Sequence, residues 1–376
     1  MTPRRFPNLA AALLPALLLA SCGDPAPPPE PPLSPQALAA VSENPGVARE
    51  KLARAVDDLF TAEGIGETRA VLVMHGGEIA AERYADGYGA QTPFVGWSMS
   101  KTVTALLIGA LVSEGRLELD HSPPIPAWQR AGDPRGEITL RQLLQMRSGL
   151  RHEEKADPVY TSPEVRMMFL DGRDDMAAWA EAQPLEHEAG QVHQYSTATS
   201  VILADIAARV LAPDGSPDER QRAMADYLAS RLSGPLRAPS FFAEFDAAGT
   251  MMGGSMIWAT ARDWGKLGEM LRHKGSVRGT QLVPRTWIEF MTRPSPRAAD
   301  YGAHLWLNRD SGGERVVLYP EQGPRSAFAA VGHLGQYVIV SPAQKLTIVR
   351  LGKTDDEQRR ALVDEIAGIA ALYPVT

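Results

Sequence analysis

The sequence predicts an α/β fold of the α+β kind: an antiparallel β-sheet flanked by helices, with an all-helical subdomain inserted. Three observations carry this. Strand-like runs cluster early, from Ala70 to Tyr84, and return late, from Val316 to Leu351. Between them, over roughly 115–258, apolar residues recur at helical spacing. Strands separated by so long a helical stretch imply one sheet built from both ends of the chain. The 376 residues suffice to bury a sizeable core. With 44% hydrophobic and 22% charged residues, the composition is that of an ordinary globular protein. A formal charge of −7 offers no footprint for nucleic acid, so none is expected as a partner.

The first element is a targeting segment. Arg4 and Arg5 precede the apolar run Leu9 to Ala20, which is short for a membrane span but suits an export signal. It ends in Leu19-Ala20-Ser21-Cys22, which resembles a bacterial lipobox, and Cys22 is the only cysteine. Residues 1–21 are thus expected to be a lipoprotein signal peptide and Cys22 the lipidated residue that anchors the protein to a membrane. A plain signal peptide that happens to carry a cysteine is the alternative. Phe6 follows the arginine pair without twin-arginine spacing, which favours ordinary secretion, and Gly23 after the cysteine fits outer-membrane sorting. The expectation is an exported lipoprotein facing the periplasm. A lone cysteine cannot form an internal disulfide. Residues 22–45 are expected to be a Pro-rich tether, since Pro25 to Pro35 supply seven prolines.

The folded domain is expected over 46–376. Val47 to Phe60 has one apolar helical face. Ala70 to Met74 and Glu78 to Tyr84, joined by His75-Gly76-Gly77, read as a hairpin; no G-x-S-x-G elbow exists to pair with that loop as an esterase site. The apolar stretch Thr102 to Val112 is a buried helix ending at Gly115. Helices then follow over Leu140 to Met146, Pro163 to Leu170, Met176 to Glu181, Thr199 to Leu211, Glu219 to Leu232 and Arg262 to His273. Late strands are expected at Val316 to Tyr319, Ala327 to Val331, Tyr337 to Ser341 and Leu346 to Leu351, before a final helix over Glu357 to Leu372.

The chemistry starts at Ser98-Met99-Ser100-Lys101. Residues three apart share a helix face, so the Ser98 hydroxyl can meet the Lys101 amine. A serine hydroxyl needs a base in hydrogen-bond reach, and a lysine serves when burial lowers its pKa. Taken alone, the pair reads more readily as a helix start with a solvated lysine. Ser100 lies about 100° around the helix and Ser148 ends a helix, so neither competes with Ser98. The eight histidines show no metal-ligand spacing, and no phosphate loop or dinucleotide fingerprint occurs, so no metal or cofactor is expected.

Two later motifs complete the pattern: Tyr195-Ser196-Thr197 ahead of an apolar helix, and Gly332-His333-Leu334-Gly335-Gln336 leading into a strand. With these the chain resembles the serine β-lactamase-like superfamily of class C β-lactamases, D-alanyl-D-alanine peptidases, family VIII esterases and nylon-oligomer hydrolases. Its motifs S-x-x-K, Y-x-N and K-T-G or H-x-G fall here on Ser98/Lys101, Tyr195 and His333/Gly335. Ile138 to Leu144, Ser148-Gly149-Leu150, Ala259 to Trp264 and Tyr301-Gly302 resemble further landmarks, and Ala327 to Val340 is nearest the esterase and nylon-oligomer branch.

The resemblance implies a β-lactamase/transpeptidase-like fold and a serine hydrolase that cleaves a small ester or amide through a Ser98 acyl-enzyme. Lys101 and Tyr195 would act as base and acid, with the tyrosine pKa lowered beside the lysine. The backbone N–H groups of Ser98 and Gln336 would form the oxyanion hole. His333, Gly335 and Thr197 would contact substrate, although His333 reads equally as a packed strand residue. Thr197 in place of asparagine and His333 in place of lysine argue against efficient β-lactam hydrolysis. A D-alanyl-D-alanine peptidase or β-lactamase, and a non-catalytic binding protein on the same fold, are the alternatives. After Leu150, relatives carry acidic and aromatic pocket residues where this chain has Glu153-Glu154-Lys155, which leaves the substrate open.

Overall fold

In the computed structural model, which describes Met1, residues 32–313 and residues 315–376, the main sheet is assembled from both ends of the chain. The expected signal segment, Cys22 and most of the Pro-rich stretch lie outside the described residues. Helices Pro35–Ala39 (α1) and Arg49–Thr61 (α2) lead into the hairpin Glu67–His75 (β1) and Glu78–Tyr84 (β2). Pro93–Val95 (β3) and a 3-10 turn, Trp97–Met99, precede Ser100–Ser113 (α3). The helical region comprises Leu140–Leu144 (α4), Pro163–Phe169 (α5), Met176–Glu181 (α6), Thr197–Leu211 (α7), Pro217–Leu228 (α8) and Gly234–Leu236 (α9). Next come Phe242–Ala243 (β4), Ile257–Thr260 (β5), Ala261–Arg272 (α10), Ser276–Val277 (β6), Thr280–Gln281 (β7) and Arg285–Met291 (α11). The chain closes with Trp306–Leu307 (β8), Phe328–Gly332 (β9), Gln336–Ser341 (β10), Leu346–Lys353 (β11) and Arg359–Ala371 (α12).

The six-stranded sheet runs β2-β1-β11-β10-β9-β8, with every neighbouring pair antiparallel. Side chains alternate across it with a period of two, which creates two cores. Val71, Val73, Ile339 and Ile348 pack on Leu52, Val56 and Leu59 of α2 and on Leu362 and Ile366 of α12. Leu72, Val338, Val349 and Leu351 face the other way, toward Trp264 and Leu267 of α10 and toward α3. The stretch Ser100–Leu111 of α3 is buried residue for residue, so the helix that follows the candidate nucleophile runs through the middle of the larger core.

Two expectations need correction. The tether does not extend to residue 45, because Leu33–Thr376 form one compact unit. Ser34 caps α1 by accepting from the Ala37 N–H at 3.1 Å, and Pro35 takes the first helical position, where its missing N–H costs nothing. Val41 then pairs with Ala81, and Arg49 donates to the Leu38 carbonyl at 2.7 Å. Val316 to Tyr319 is not a strand: Val317, Leu318 and Tyr319 are buried in the smaller core in irregular backbone, and β8 takes the sheet edge instead. The small sheet β3-β5-β4 and helix α11 were not anticipated, being too short to show periodicity. No helix among the described residues is long and apolar enough to cross a membrane.

Candidate active site

Ser98 sits in the 3-10 turn that feeds α3 rather than in the helix itself. Trp97 before it has φ 44°, a left-handed conformation that a bulky residue rarely adopts. The turn is held from both sides: the Gly96 N–H donates to Ile257 O at 2.8 Å, and the Ile257 N–H donates to Ser100 Oγ at 3.0 Å. Ser100 is therefore fully engaged in tying α3 to β5, which leaves Ser98 as the half-buried hydroxyl facing the cavity.

Lys101, on the first turn of α3, is 2% exposed. Its Nζ lies 2.9 Å from Ser98 Oγ, 2.8 Å from Thr197 Oγ1 and 2.9 Å from the Gly254 carbonyl. Burial drives its pKa below the ordinary lysine value, while the charges of Glu154 and Glu164 pull it back up. A neutral amine has two hydrogens and one lone pair. Thr197 and Gly254 take the two hydrogens, so the lone pair is left for Ser98.

Tyr195 lies in the loop before α7, whose start is capped by Ser196 accepting from the Thr199 N–H at 3.0 Å. Its ring packs on Tyr301 and Trp306, with centroids 5.8 and 5.3 Å away, and Lys101 Nζ stands 4.9 Å from the ring centroid. Burial pushes the phenol above its ordinary pKa, and the Glu154 charge acts in the same sense, against a hydrogen bond with Ser98 that lowers it. The expectation of a lowered tyrosine pKa is thus reversed. Desolvation and the Glu154 charge outweigh the Ser98 hydrogen bond, and Tyr195 is a neutral phenol that can donate a proton.

The strand beside the nucleophile corrects two further assignments. The Asn308 N–H donates to Ala327 O at 2.9 Å, toward the β8 edge. In an antiparallel ladder the two backbone groups of one residue point to the same side and alternate along the strand. Ala327, Ala329 and Val331 therefore face the β8 edge and, beyond it, Ser98. Gly332 faces β10, where it pairs with Gln336. Gln336 accordingly spends its backbone in the ladder. Its side chain donates to His333 O and Leu334 O at 3.0 Å and to Gly352 O at 2.7 Å, clamping the hairpin. Val331 and His333, on either side of Gly332, line the cavity wall where Gln336 was expected.

Gly335 is likewise structural. Its φ is 75°, and its carbonyl accepts from the buried Arg350 at 3.0 Å. Gly332 is the glycine that matters to the site, because an added Cβ there would lie 2.3 Å from Gly96 O. His333 lines the mouth of the cavity, edge-on to Trp97 at 5.5 Å, with its pKa lowered by partial desolvation. Thr197 is fully buried behind Lys101 and holds the lysine rather than a substrate.

The cavity in front of Ser98 has a volume of about 960 Å³. Trp97, Met168, Phe169, Trp306 and Val331 form apolar walls, and Lys155, Arg315, Asp356 and Arg359 form a charged rim. Lys155 and Asp356 form an ion pair, joining segments 201 residues apart. The site residue that sequence reasoning passed over is Glu154. Its carboxylate accepts from the Thr197 N–H and, at 3.2 Å, from the Thr197 hydroxyl, and burial raises its pKa to about 8. The acidic loop after Leu150 was its only signal.

The Beta-lactamase family model matches residues 53–372. A 6-aminohexanoate-dimer hydrolase of Paenarthrobacter ureafaciens is 25% identical over 336 residues, covering 85% of this chain and 81% of its own. Among solved structures, a family VIII carboxylesterase superposes with a TM-score of 0.61 at 18% identity, covering 84% of this chain and 96% of its own. A D-stereospecific amidohydrolase from Streptomyces gives 0.58 at 19%, covering 83% and 98%. At these identities the solved structures show the fold alone, and they agree with the sheet and the helical insertion described above. A family match that spans most of the chain, and takes in Ser98, Lys101 and Tyr195, shows that this protein belongs to the Beta-lactamase family.

Proposed function

We propose that this β-lactamase-related serine hydrolase cleaves an ester or amide bond through a Ser98 acyl-enzyme. Neutral Lys101 takes the proton as Ser98 Oγ attacks the acyl carbon. Tyr195, a neutral phenol beside Ser98, gives a proton to the departing alcohol or amine; in deacylation it takes one back from the attacking water, and Lys101 returns its proton to Ser98 Oγ as the acyl group leaves. The Ser98 N–H and one backbone N–H from the cavity-lining end of β9, that of Val331 or His333, meet the developing oxyanion; removing one such donor typically costs about 10²–10³ in turnover. The observation that carries this reading is the saturation of the buried Lys101 amine by Thr197 and Gly254, which leaves its lone pair to Ser98.

The relatives named above act, by their names, on an amide dimer or on carboxylic esters, which supports both bond types. The apolar walls favour a substrate with a hydrophobic acyl or leaving group. A panel of p-nitrophenyl esters, linear amides, D-amino-acid peptides and nitrocefin, run on wild type and Ser98→Ala, tests the reading. Turnover of esters or amides that is abolished in Ser98→Ala supports it; rapid nitrocefin hydrolysis with slow ester turnover would contradict the substrate preference.

We also propose that the mature protein is held at a membrane, outside the cytoplasm, by lipid on Cys22. The lone cysteine at the end of the Leu9 to Ala20 run supports this. Wild type should partition into the membrane fraction and Cys22→Ala should not. Equal partitioning would contradict the anchor.

A further inference from the structure

Behind Lys101 lies a second layer of side chains that the proton transfers above do not use. Thr197 Oγ1 accepts from Lys101 Nζ at 2.8 Å and passes its own hydrogen to Glu154 Oε2 at 3.2 Å. Glu154 Oε1 accepts from the Thr197 N–H, so the carboxyl grips the first residue of α7 twice. Both carboxyl oxygens are then occupied as acceptors on the Thr197 side. On the other side the carboxyl of Glu164 on α5 acts with burial to favour the protonated form of Glu154.

We propose that Glu154 is a positioning residue for the Lys101 base: through its two hydrogen bonds with Thr197 it fixes the direction of the amine toward Ser98. The inference rests on the reading of Ser98 as nucleophile and Lys101 as its base.

The charge logic follows from what faces the cluster. Lys101 comes from α3, Glu164 from α5, Tyr195 and Thr197 from the start of α7, Tyr301 and His304 from the segment before β8, and Arg359 from α12. Tyr195 and Tyr301 are pushed up by burial and stay neutral; His304 is pushed down to about 3 and carries no charge. Arg359 stands at the cavity wall, where solvent screens it. The ionisation of Lys101 therefore answers mainly to Glu154 and Glu164. Two ionised carboxylates here would hold the amine as an ammonium, whose third hydrogen would occupy the direction of Ser98 and block the attack. One retained proton on the pair removes most of that pull. Burial of the carboxyl, which raises Glu154 to about 8, favours its retention near neutral pH.

The test is the rate at which a fluorophosphonate probe labels Ser98, followed by intact mass from about pH 5 to about pH 10. It is run on wild type, Glu154→Gln, Glu154→Ala and Thr197→Val. Glu154→Gln keeps an acceptor for Thr197 and matches the protonated carboxyl in charge, so it should label close to the wild-type rate with its acid limb in place. Glu154→Ala frees Thr197 and should label about tenfold more slowly at every pH, because the amine loses its direction. Labelling of Glu154→Ala at the wild-type rate overturns the positioning role and leaves the nucleophile reading standing. Absence of labelling at Ser98 in the wild type overturns that reading itself. Should Glu154→Ala not fold, Thr197→Val, which breaks the same link, decides by the same criterion.

Discussion

A single methyl group at Gly332 probes how closely β9 meets the nucleophile turn. The Cβ of Gly332→Ala would press on the Gly96 carbonyl, backbone against backbone, and neither partner is a flexible side-chain end. The strand end must move away from Ser98, carrying the N–H groups of Val331 and His333 with it. Turnover should fall by about 10²–10³, as for loss of an oxyanion donor, with stability lowered by about 1–3 kcal/mol. A variant with wild-type kcat would show that the end of β9 does not supply the second donor. At this scale the sequence singled out Ser98, Lys101 and Tyr195 because their spacing and order carry the signal. It pointed to Gln336 for the second donor because the parity of a ladder depends on pairing across strands: the Gln336 backbone faces Gly332, while the Asn308–Ala327 bond puts the neighbours of Gly332 on the other edge. Glu154 escaped notice because a glutamate in an acidic loop looks solvated until the loop folds against Thr197.

The β9–β10 hairpin carries one wall of the site, and Arg350 of β11 secures it. The guanidinium, fully buried, donates to Gly335 O, Glu67 O, Thr68 Oγ1 and Thr354 Oγ1 at 2.8 to 3.1 Å. Arg350→Met fills similar space but leaves those acceptors unpaired. It should cost about 2–4 kcal/mol, read as a lower urea midpoint. Because the hairpin turn would loosen, kcat should fall as well; an unchanged midpoint would contradict the clamp. Elements of this length were legible from their patterns. The hairpin β1–β2, helices α3, α6 and α10, and strands β9 to β11 lie within a few residues of expectation. Two-residue strands such as β4 and β8 carry no period to read. Val316 to Tyr319 looked like a strand because it is apolar, yet its burial comes from packing in the smaller core without ladder partners.

At the scale of the whole molecule, buried titratable groups set opposing responses to pH. Burial lowers His152 to about 4 and His304 to about 3, below an unfolded value near 6.5. The folded state refuses protons that the unfolded chain accepts, so these two contribute stability above about pH 6.5 and lose it as pH falls toward 3–4. Glu154 and Glu181, raised to about 8 by burial, act in the reverse sense: their stabilising protons are held below about 4.5 and are lost as pH rises through 8. Between about 4.5 and 6.5 the two pairs offset each other. Urea midpoints should be nearly level across that window and drop below it. A steady decline starting at pH 6.5 would show that the carboxyls are not protonated in the fold.

The sheet drawn from both ends of the chain sets Ser98 and Lys101 at the head of α3 against β9 and the start of α7, so the site forms only when the whole unit folds. The account's central claim is that Ser98 is the nucleophile in this setting. Acid quenching during turnover of a p-nitrophenyl ester, followed by peptide mapping, tests it most directly. The account predicts one acyl group on the peptide at Ser98, absent together with turnover in Ser98→Ala. An acyl group on any other residue, or turnover that survives Ser98→Ala, would contradict it.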